Sequence, residues 1–204
     1  MKNLTIKEKV KSEIVVQKSK FICTVIPVDN KEIAEKLIKE TKKEYFDARH
    51  NCVAYRIMEN EKIVEKFSDD GEPNGTAGMP MLNILRGKKL VNVLCIVTRY
   101  FGGILLGTGG LVRAYSEALE SAVKNSNVYE KKMMDVFEII LEYKQVDCFK
   151  YYCLQNSIEI LKIDYLENIV TKIAVDSEEK DKFIQNIKNK EISIQNCIFL
   201  YKKF

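Results

Sequence analysis

The stretch VTRYFGGILLGTGGLVRAYSEAL, residues 97–119, contains the pattern on which the fold assignment rests. It begins at the end of a short apolar run, residues 91–97, which is typical of a buried strand. Five glycines follow within nine residues, from Gly102 to Gly110, and residues 111–124 then carry apolar side chains at helical spacing. The sequence therefore predicts a buried strand, a glycine-rich loop and an amphipathic helix, in that order.

The glycine-rich loop has two interpretations. Glycines before a helix N-terminus can expose backbone N–H groups to an anion, which makes Gly102, Gly103, Gly107 and Gly109 candidate contact residues. They can equally serve tight turns and close backbone packing. The loop lacks the Gly-Lys-Ser/Thr of a nucleotide-binding P-loop, and Val112 stands where a dinucleotide-binding loop needs its third glycine. No cofactor is therefore expected.

The periodicity around this stretch predicts an α+β domain. Residues 19–28, 49–57 and 62–67 have the pattern of strands, and residues 30–42 and 80–86 have that of helices. Together with the strand, loop and helix described above, these segments account for roughly the first 125 residues.

The C-terminal part has a different order of elements. Strands are predicted at residues 135–143, 158–163, 169–175 and 192–200, and helices at residues 146–154 and after an N-cap at Ser177, with Phe183, Ile184 and Ile187 on one face. The order β-α-β-β-α-β is that of a ferredoxin-like domain. The fold class expected for the chain is therefore α+β, with two domains.

The composition also changes between the two parts. All nine glycines lie between Gly71 and Gly110, and no arginine follows Arg113. Residues 1–130 contain 21 Lys and Arg against 17 Asp and Glu, whereas residues 131–204 contain 12 of each kind. We therefore expect a boundary near residues 125–132, with domains at residues 1–128 and 129–204.

The overall composition excludes several classes of protein. The 204 residues are 46% hydrophobic and 30% charged, without an apolar run that could span a membrane, and the N-terminus is charged where a signal peptide would be apolar. Six scattered cysteines without a CxxC pair fit reduced thiols, and a single histidine cannot form a multi-histidine metal site. We expect a cytoplasmic protein without membrane contact and without a bound metal.

The loop SDDGEPNGTAG, residues 68–78, supplies candidate residues for chemistry. Asp69, Asp70 and Glu72 could hold a magnesium ion or transfer protons, but aspartates in such a sequence are also common turn formers. Gly75 and Thr76 belong to a GxxG segment of the kind that clamps the RNA backbone in KH domains. These residues form a candidate ion or anion site, with turn formation as the alternative.

His50 and Cys52 lie on the same face of a predicted strand, which suggests a Cys–His nucleophile pair. Residues two apart in a strand are separated by about 6.6 Å, which is too far for a direct hydrogen bond. A packed histidine is the better interpretation, and His50 joins a site only if the acidic loop converges on it.

Residues 73–116 contain no acidic residue. The candidate contacts to RNA or to a protein partner in this stretch are Arg86, Lys88, Lys89, Arg99, Tyr100 and Arg113. Arg99 ends the buried strand and Arg113 lies in the first turns of the next helix, so both face the glycine-rich loop. Basic residues beside aromatic ones suit contacts to a nucleic-acid backbone and its bases. The alternative is that these arginines form ion pairs with Asp69, Asp70 or Glu72.

Three segments in this order resemble the YigZ/IMPACT family: HNCVAYRI at residues 50–57, FSDDGEPNGTAGMPML at residues 67–82, and VTRYFGGILLGTGGLVRAYSEAL at residues 97–119. The tail is similar to the small C-terminal domain of bacterial members. The resemblance implies a first domain like the second domain of a small-subunit ribosomal protein, and a tail like domains of elongation factor G.

The resemblance also implies translation regulation rather than catalysis. Eukaryotic members restrain the general control kinase by competing for its ribosome-bound activator. We expect this chain to depart from them by lacking their extra N-terminal interaction domain. Met79 and Leu105 also stand where bacterial members often carry basic residues.

Two functional hypotheses remain at this point. The favoured one is a translation-linked binding protein that contacts RNA, the ribosome or a ribosome-associated factor through residues 73–116. The rival is a small metal-assisted hydrolase that uses Asp69, Asp70, Glu72 and His50. Convergence of the acidic side chains with His50 around one point would favour the hydrolase, whereas turn capping or ion pairing with the arginines would favour the binding protein.

Overall fold

Ten strands and five α-helices make up the described residues of the computed structural model, which are residues 3–59, 62–186 and 192–203. They belong to two units, Met1–Glu130 together with Lys203–Phe204, and Lys131–Lys202. In these described segments, no helix is long and apolar enough to cross a membrane.

The first unit is built on a five-stranded antiparallel sheet. Its strands are β2 (Val10–Val16), β3 (Ser19–Pro27), β4 (His50–Glu59), β5 (Lys62–Ser68) and β6 (Val93–Tyr100), in the order β2-β3-β6-β4-β5. Its helices are α1 (Lys31–Glu44), α2 (Gly78–Gly87) and α3 (Gly107–Lys124). The short strand β1 (Asn3–Ile6) lies beside the segment after α2, where Leu4 forms backbone hydrogen bonds with Lys89 and Val91.

Strand β6 runs through the middle of this sheet and is buried on both faces. Val93 and Cys95 point into a core formed with α2 and α3, whereas Leu94 and Ile96 point into a second core formed with α1. Successive residues of a strand point to opposite faces, so a strand covered by helices on both sides is apolar throughout. This is why residues 93–97 form an uninterrupted apolar run.

The register of the sheet brings several chain segments together at the C-terminal end of β6. Arg99 pairs with Phe21 near the start of β3 and with His50 at the start of β4. Strand β5 ends at Ser68, opposite Val53 of β4, so the acidic loop begins at the same end of the sheet. The glycine-rich loop follows β6 directly. The three segments that resemble the YigZ/IMPACT family therefore meet in space.

The second unit has the order β-α-β-β-α-β that the sequence predicts. Its elements are β7 (Val128–Leu141), α4 (Val146–Gln155), β8 (Glu159–Tyr165), β9 (Ile169–Asp176), α5 (Lys180–Asn186) and β10 (Ile192–Lys203). Strand β7 pairs with β9 and with β10, and β8 pairs with β9. The helices cover one core, in which the rings of Phe137 and Phe183 lie 4.9 Å apart between centroids.

Some details differ from the expectations drawn from the sequence. Strands β1 and β2 were not expected, since charged residues interrupt the apolar positions of that segment. Helix α3 begins at Gly107 rather than near residue 111, so the last glycines of the loop belong to its first turn despite the low helix propensity of glycine. In the second unit Asp176, not Ser177, caps the helical segment by accepting from the N–H of Glu178. Ile187, predicted on the apolar face of this helix, lies outside the described residues.

We expect limited proteolysis to cut first between Lys124 and Val128. Helix α3 ends at Lys124 and β7 begins at Val128, and the connection between them contains the exposed Asn125 and Asn127. Exposed connections with few contacts are preferred sites of proteolytic cleavage. Mass spectrometry of the first fragments released by a broad-specificity protease checks this. A resistant fragment that runs uninterrupted through these residues would contradict the expectation.

Candidate functional site

Glu72 occupies the centre of a buried polar cluster at the C-terminal end of β6. Its side chain is only 3% exposed. Oε1 accepts hydrogen bonds from Nη1 of Arg99 at 2.7 Å and from the hydroxyl of Tyr115 at 2.9 Å, and it lies 4.0 Å from Nε2 of His50. One carboxylate therefore connects the acidic loop to β6, α3 and β4.

Arg99 is buried beside Glu72, with a side chain that is 6% exposed. Nη2 donates to Oγ of Ser19 at 3.4 Å, and the guanidinium carbon lies 5.4 Å from the ring centroid of Phe21 and 5.6 Å from that of Phe101. A planar guanidinium can face aromatic rings while its edge donates to a carboxylate. Arg99 thus forms the ion pair with the acidic loop that the sequence left as an alternative to an RNA contact.

Asp69 is occupied by backbone groups of its own loop and of α2. Its carboxylate accepts hydrogen bonds from the N–H groups of Gly75 at 2.8 Å, Ala77 at 3.0 Å and Gly78 at 2.8 Å. Ala77, at the N-cap position of α2, has no side chain that could accept such bonds. Asp69 supplies this cap from a distance, and its negative charge suits the positive end of the helix dipole.

A hydrogen bond and close backbone packing fix the GxxG segment in position. The hydroxyl of Thr76, a buried residue, donates to the carbonyl oxygen of Pro73 at 2.6 Å. Gly75 has a positive φ of 76°, and a Cβ at Gly78 would lie 2.8 Å from backbone atoms of Ser68. Thr76 and Gly78 are thus required by the turn and by its packing, and the side that remains exposed consists of Pro73 and its neighbours up to Gly75.

Asp70 ties the acidic loop to β4 and α1. Its carboxylate accepts from the backbone N–H of Asn51 at 2.8 Å and from Nζ of Lys42 at 2.5 Å. Its carbonyl oxygen lies 2.9 Å from Nδ1 of His50. The residue has a positive φ of 44°, a conformation that Asp tolerates better than most residues. His50 therefore contacts the acidic loop at Asp70 and lies near it at Glu72.

Cys52 is buried near His50, but its thiol contacts Asp69 and Tyr115 rather than the imidazole. Its thiol donates to the carbonyl oxygen of Asp69 at 3.0 Å, and Sγ lies 3.3 Å from the hydroxyl oxygen of Tyr115. Burial raises the pKa of the Cys52 thiol well above its usual value, with a smaller contribution from the nearby carboxylates. Burial also raises the pKa of Tyr115. Both groups are therefore protonated at neutral pH, which suits hydrogen bonding rather than nucleophilic attack.

The three acidic residues of the loop are bound to different partners rather than to a common point. Asp69 binds the backbone of α2, Asp70 binds Asn51 and Lys42, and Glu72 binds Arg99 and Tyr115. Within residues 3–59 and 62–186, no group of three His, Cys, Asp or Glu side chains is placed to hold a metal ion. The arrangement fixes the loop in position.

The glycines of the glycine-rich loop divide into two kinds. A Cβ at Gly102 would lie 2.0 Å from the backbone carbon of Lys18, so only glycine fits there. Gly103 and Gly107 have positive φ values of 84° and 69°, in the left-handed region that favours glycine. A Cβ at Gly109, in contrast, would meet nothing closer than Nη2 of Arg113 at 4.0 Å. The turn thus accounts for three of the four candidate glycines.

Tyr100 and Arg113 both lie at this end of the unit, but among the described residues only Tyr100 binds a carboxylate. Tyr100 donates from its hydroxyl to Oδ1 of Asp47 at 2.8 Å, and that hydrogen bond raises its pKa. Arg113 is exposed, and Nε donates to the carbonyl oxygen of Gly109 at 3.3 Å. In the part of the chain that the structure describes, no carboxylate lies within 4 Å of the Arg113 guanidinium.

Arg86 forms an ion pair with the carboxylate of Glu65. Nη2 of Arg86 lies 2.5 Å from Oε2 of Glu65, and Nε of Arg56 donates to Oε1 of the same residue at 2.8 Å. Hydrogen bonding to Arg86, and then to Arg56, lowers the pKa of Glu65. The three side chains connect β4, β5 and the end of α2.

Lys88 and Lys89 are exposed at the end of the unit opposite to the glycine-rich loop. Lys88 lines a groove of about 660 Å³ with the acidic Glu120 and with Lys124, the last residue of α3. Because a helix advances 1.5 Å per residue, Lys124 lies about 26 Å along the helix axis from Gly107. The stretch without acidic residues thus forms two separate cationic groups rather than one face.

Several residues of this cluster could not be found from the sequence alone. Ser19 and Phe21 contact Arg99 from β3, about 80 positions earlier in the chain, and no local pattern marks them. Tyr115 has the helical spacing of a core residue, which gave no indication that its hydroxyl binds Glu72.

We expect Gly102→Ala and Gly109→Ala to have opposite effects on stability. The first places Cβ against backbone atoms that cannot rotate away and should lower the free energy of unfolding by several kcal/mol, of the order of 3. The second adds a methyl group in open space on a helix and should raise the free energy of unfolding by about 0.5–1 kcal/mol. Urea unfolding followed by circular dichroism measures both. Equal effects would show that close packing does not explain Gly102.

Comparison with known proteins agrees with this two-part architecture. Residues 17–123 match the Impact N-terminal domain, and residues 139–190 match a domain of unknown function, DUF1949. The chain is 38% identical over 179 residues to the IMPACT family member YvyE of Bacillus subtilis, covering 88% of this chain and 82% of that protein. It is 34% identical over 169 residues to the IMPACT family member YigZ of Escherichia coli, covering 82% and 83%.

A solved structure extends the similarity to the whole fold. The crystal structure of a hypothetical protein superimposes with a TM-score of 0.63 and 30% sequence identity, over 96% of this chain and 98% of that one. The family match covers more than half of the chain, and the relatives match it along most of their length. The chain therefore belongs to the IMPACT family.

Proposed function

We propose that this chain is a non-catalytic, translation-linked binding protein of the cytoplasm, which contacts RNA, the ribosome or a ribosome-associated factor. Family membership supports the link to translation, since the resemblance to the YigZ/IMPACT family implies regulators of translation rather than enzymes. The geometry supports binding rather than hydrolysis, because the acidic loop is bound by protein groups on all three of its carboxylates.

One observation carries the proposal: the carboxylates of the acidic loop are bound by other groups of the protein, while several cations remain on the surface of the unit. Glu72 and Asp69 are bound to internal donors. Arg113, Lys88 and Lys89 are exposed, and among the described residues no carboxylate lies within 4 Å of their charged groups. Exposed cations without a counter-charge attract phosphates or acidic side chains and accelerate encounter with them.

The six candidate contact residues have two roles in this proposal. Arg113, Lys88 and Lys89 contact the partner directly, and Tyr100 adds an aromatic ring at the same end of the unit as Arg113. Arg99 and Arg86 hold the surface in place through Glu72 and Glu65. Gly109, which the turn does not require, is open to a close approach, as are Gly103 and Gly107.

We also propose fold types for the two parts. The first part, residues 1–128, corresponds to the ribosomal-protein-like domain, and the α/β layers around β6 support this. The second part, residues 129–204, corresponds to a ferredoxin-like domain, which the order β-α-β-β-α-β and the pairing of β7 with β9 and β10 support. Domains of the latter type serve many functions, so the fold itself does not identify the partner.

We expect the chain to co-sediment with ribosomes at low salt and to dissociate as salt rises. With roughly three phosphate contacts, the slope of log affinity against log salt should be about −2. Arg113→Glu should weaken binding about tenfold, and Lys88→Glu with Lys89→Glu should do the same if both cationic groups take part. Lys39→Glu changes an exposed lysine of α1 and serves as the matched control.

Wild-type protein that stays in the supernatant at low salt, and that binds no RNA at any salt concentration, would contradict the proposed function. So would a hydrolytic activity that Glu72→Gln abolishes in a variant shown to be folded, because the hydrolase hypothesis requires that carboxylate.

A further inference from the structure

The glycine-rich loop exposes apolar side chains at the end of the first unit where β6 ends. Leu105 is 86% exposed, and Phe101 and Ile104 are exposed by 45% and 42%. A lone exposed apolar residue is ordinary, but three within five residues on one loop form a patch. Apolar patches of this kind mark sites at which another molecule is bound.

Cations from three chain segments surround this patch. Lys18 lies beneath the loop, since its backbone is packed against Gly102. Arg49 precedes His50, which pairs with Arg99 at the end of β6. Arg113 lies on the first turns of α3, directly after the loop. We call Phe101, Ile104 and Leu105 with Lys18, Arg49 and Arg113 the glycine-loop surface.

These cations form no ion pairs among the described residues, although the exposed Glu117 lies one turn after Arg113 on α3. Among the described residues, no carboxylate lies within 4 Å of Lys18, Arg49 or Arg113. Glu72 is buried with Arg99, and Glu13 pairs with Lys20 on the neighbouring strands. Asp47, the acidic residue beside Arg49, accepts a hydrogen bond from Tyr100. The glycine-loop surface is thus apolar at its centre and positively charged around it.

We propose that the glycine-loop surface binds an acidic, amphipathic segment of a protein partner. Its apolar side would cover Leu105, Ile104 and Phe101, and its carboxylates would meet the surrounding cations, an arrangement typical of helices bound on apolar surfaces. This inference rests on the proposed function and specifies the partner at the glycine-rich loop.

The aliphatic centre favours a protein segment over RNA. Single-stranded RNA is bound by stacking its bases on aromatic rings, and the ring of Phe101 already faces the guanidinium of Arg99. Leu105 and Ile104 offer no stacking face, but they gain from burial against apolar side chains. The exposed side chain of Leu105 in particular therefore suits an apolar protein surface.

Three labelled probes test the chemistry directly by fluorescence anisotropy with the full chain. They are an 18-residue amphipathic peptide of leucine and glutamate, the same peptide with lysine in place of glutamate, and oligo(U) RNA. The glutamate peptide should bind at least tenfold more tightly than the lysine peptide, and its affinity should fall as salt rises. Equal affinity for the two peptides would overturn the inference.

Variants locate the binding site. Leu105→Asp and Arg113→Glu should each weaken binding of the glutamate peptide about tenfold, because one removes apolar contact and the other a counter-charge. Leu154→Asp, at a leucine of the second unit that is 75% exposed, should leave it unchanged. Unchanged affinity for Leu105→Asp, in a protein with wild-type circular dichroism, would overturn the inference.

Photo-crosslinking then tests whether the glycine-loop surface contacts a protein when the chain is bound to the ribosome. With p-benzoylphenylalanine in place of Leu105, irradiation of ribosome-bound chain should give an adduct that survives ribonuclease, and the crosslinked peptide should be acidic and apolar by mass spectrometry. The same group in place of Leu154 should not give this adduct. A ribonuclease-sensitive adduct, a basic peptide or no adduct would overturn this inference while leaving ribosome binding intact, whereas failure of wild-type protein to co-sediment would overturn the proposed function itself.

Discussion

The buried ion pair between Glu72 and Arg99 holds together the end of the first unit to which both functional proposals refer. Removing two charges from water costs several kcal/mol for each ion, so such a pair persists only with good geometry and additional hydrogen bonds. Here Tyr115 adds a hydroxyl donor to Glu72, and the rings of Phe21 and Phe101 face the guanidinium. Five segments of the chain meet around this pair: β3, β4, the acidic loop, β6 and α3.

This arrangement separates the scaffold from the surface that meets a partner. The residues that carry the family resemblance are largely internal: Asp69 caps α2, Asp70 joins the loop to β4, and Gly102 allows the chain to pass close to Lys18. The exposed groups lie between them, at Leu105 and Arg113. The acidic residues and glycines of these motifs therefore stabilise the fold of this region. Recognition of a partner depends on the exposed side chains that the region holds in position.

Sequence patterns predicted the regular elements well, because burial imposes a period. The apolar run of β6 and the helical spacing of α3 follow directly from the layers that cover them. The cluster could not be predicted in the same way, since Glu72 and Arg99 are 27 residues apart and the sequence offered Asp69 and Asp70 as equal partners. Nor could the division of the basic residues into two groups, which depends on the length of α3 and on the course of α2.

The most direct test of this account is a double-mutant cycle with Glu72→Gln, Arg99→Met and both substitutions, measured by urea unfolding of the full chain with circular dichroism. Each single variant leaves a buried group without its partner and should lower the free energy of unfolding by about 3 kcal/mol. The double variant should lose less than the sum, with a coupling energy of at least about 1.5 kcal/mol. Additive effects within about 0.5 kcal/mol, together with a Glu72→Gln variant as stable as wild type, would contradict the claim that this pair supports the site.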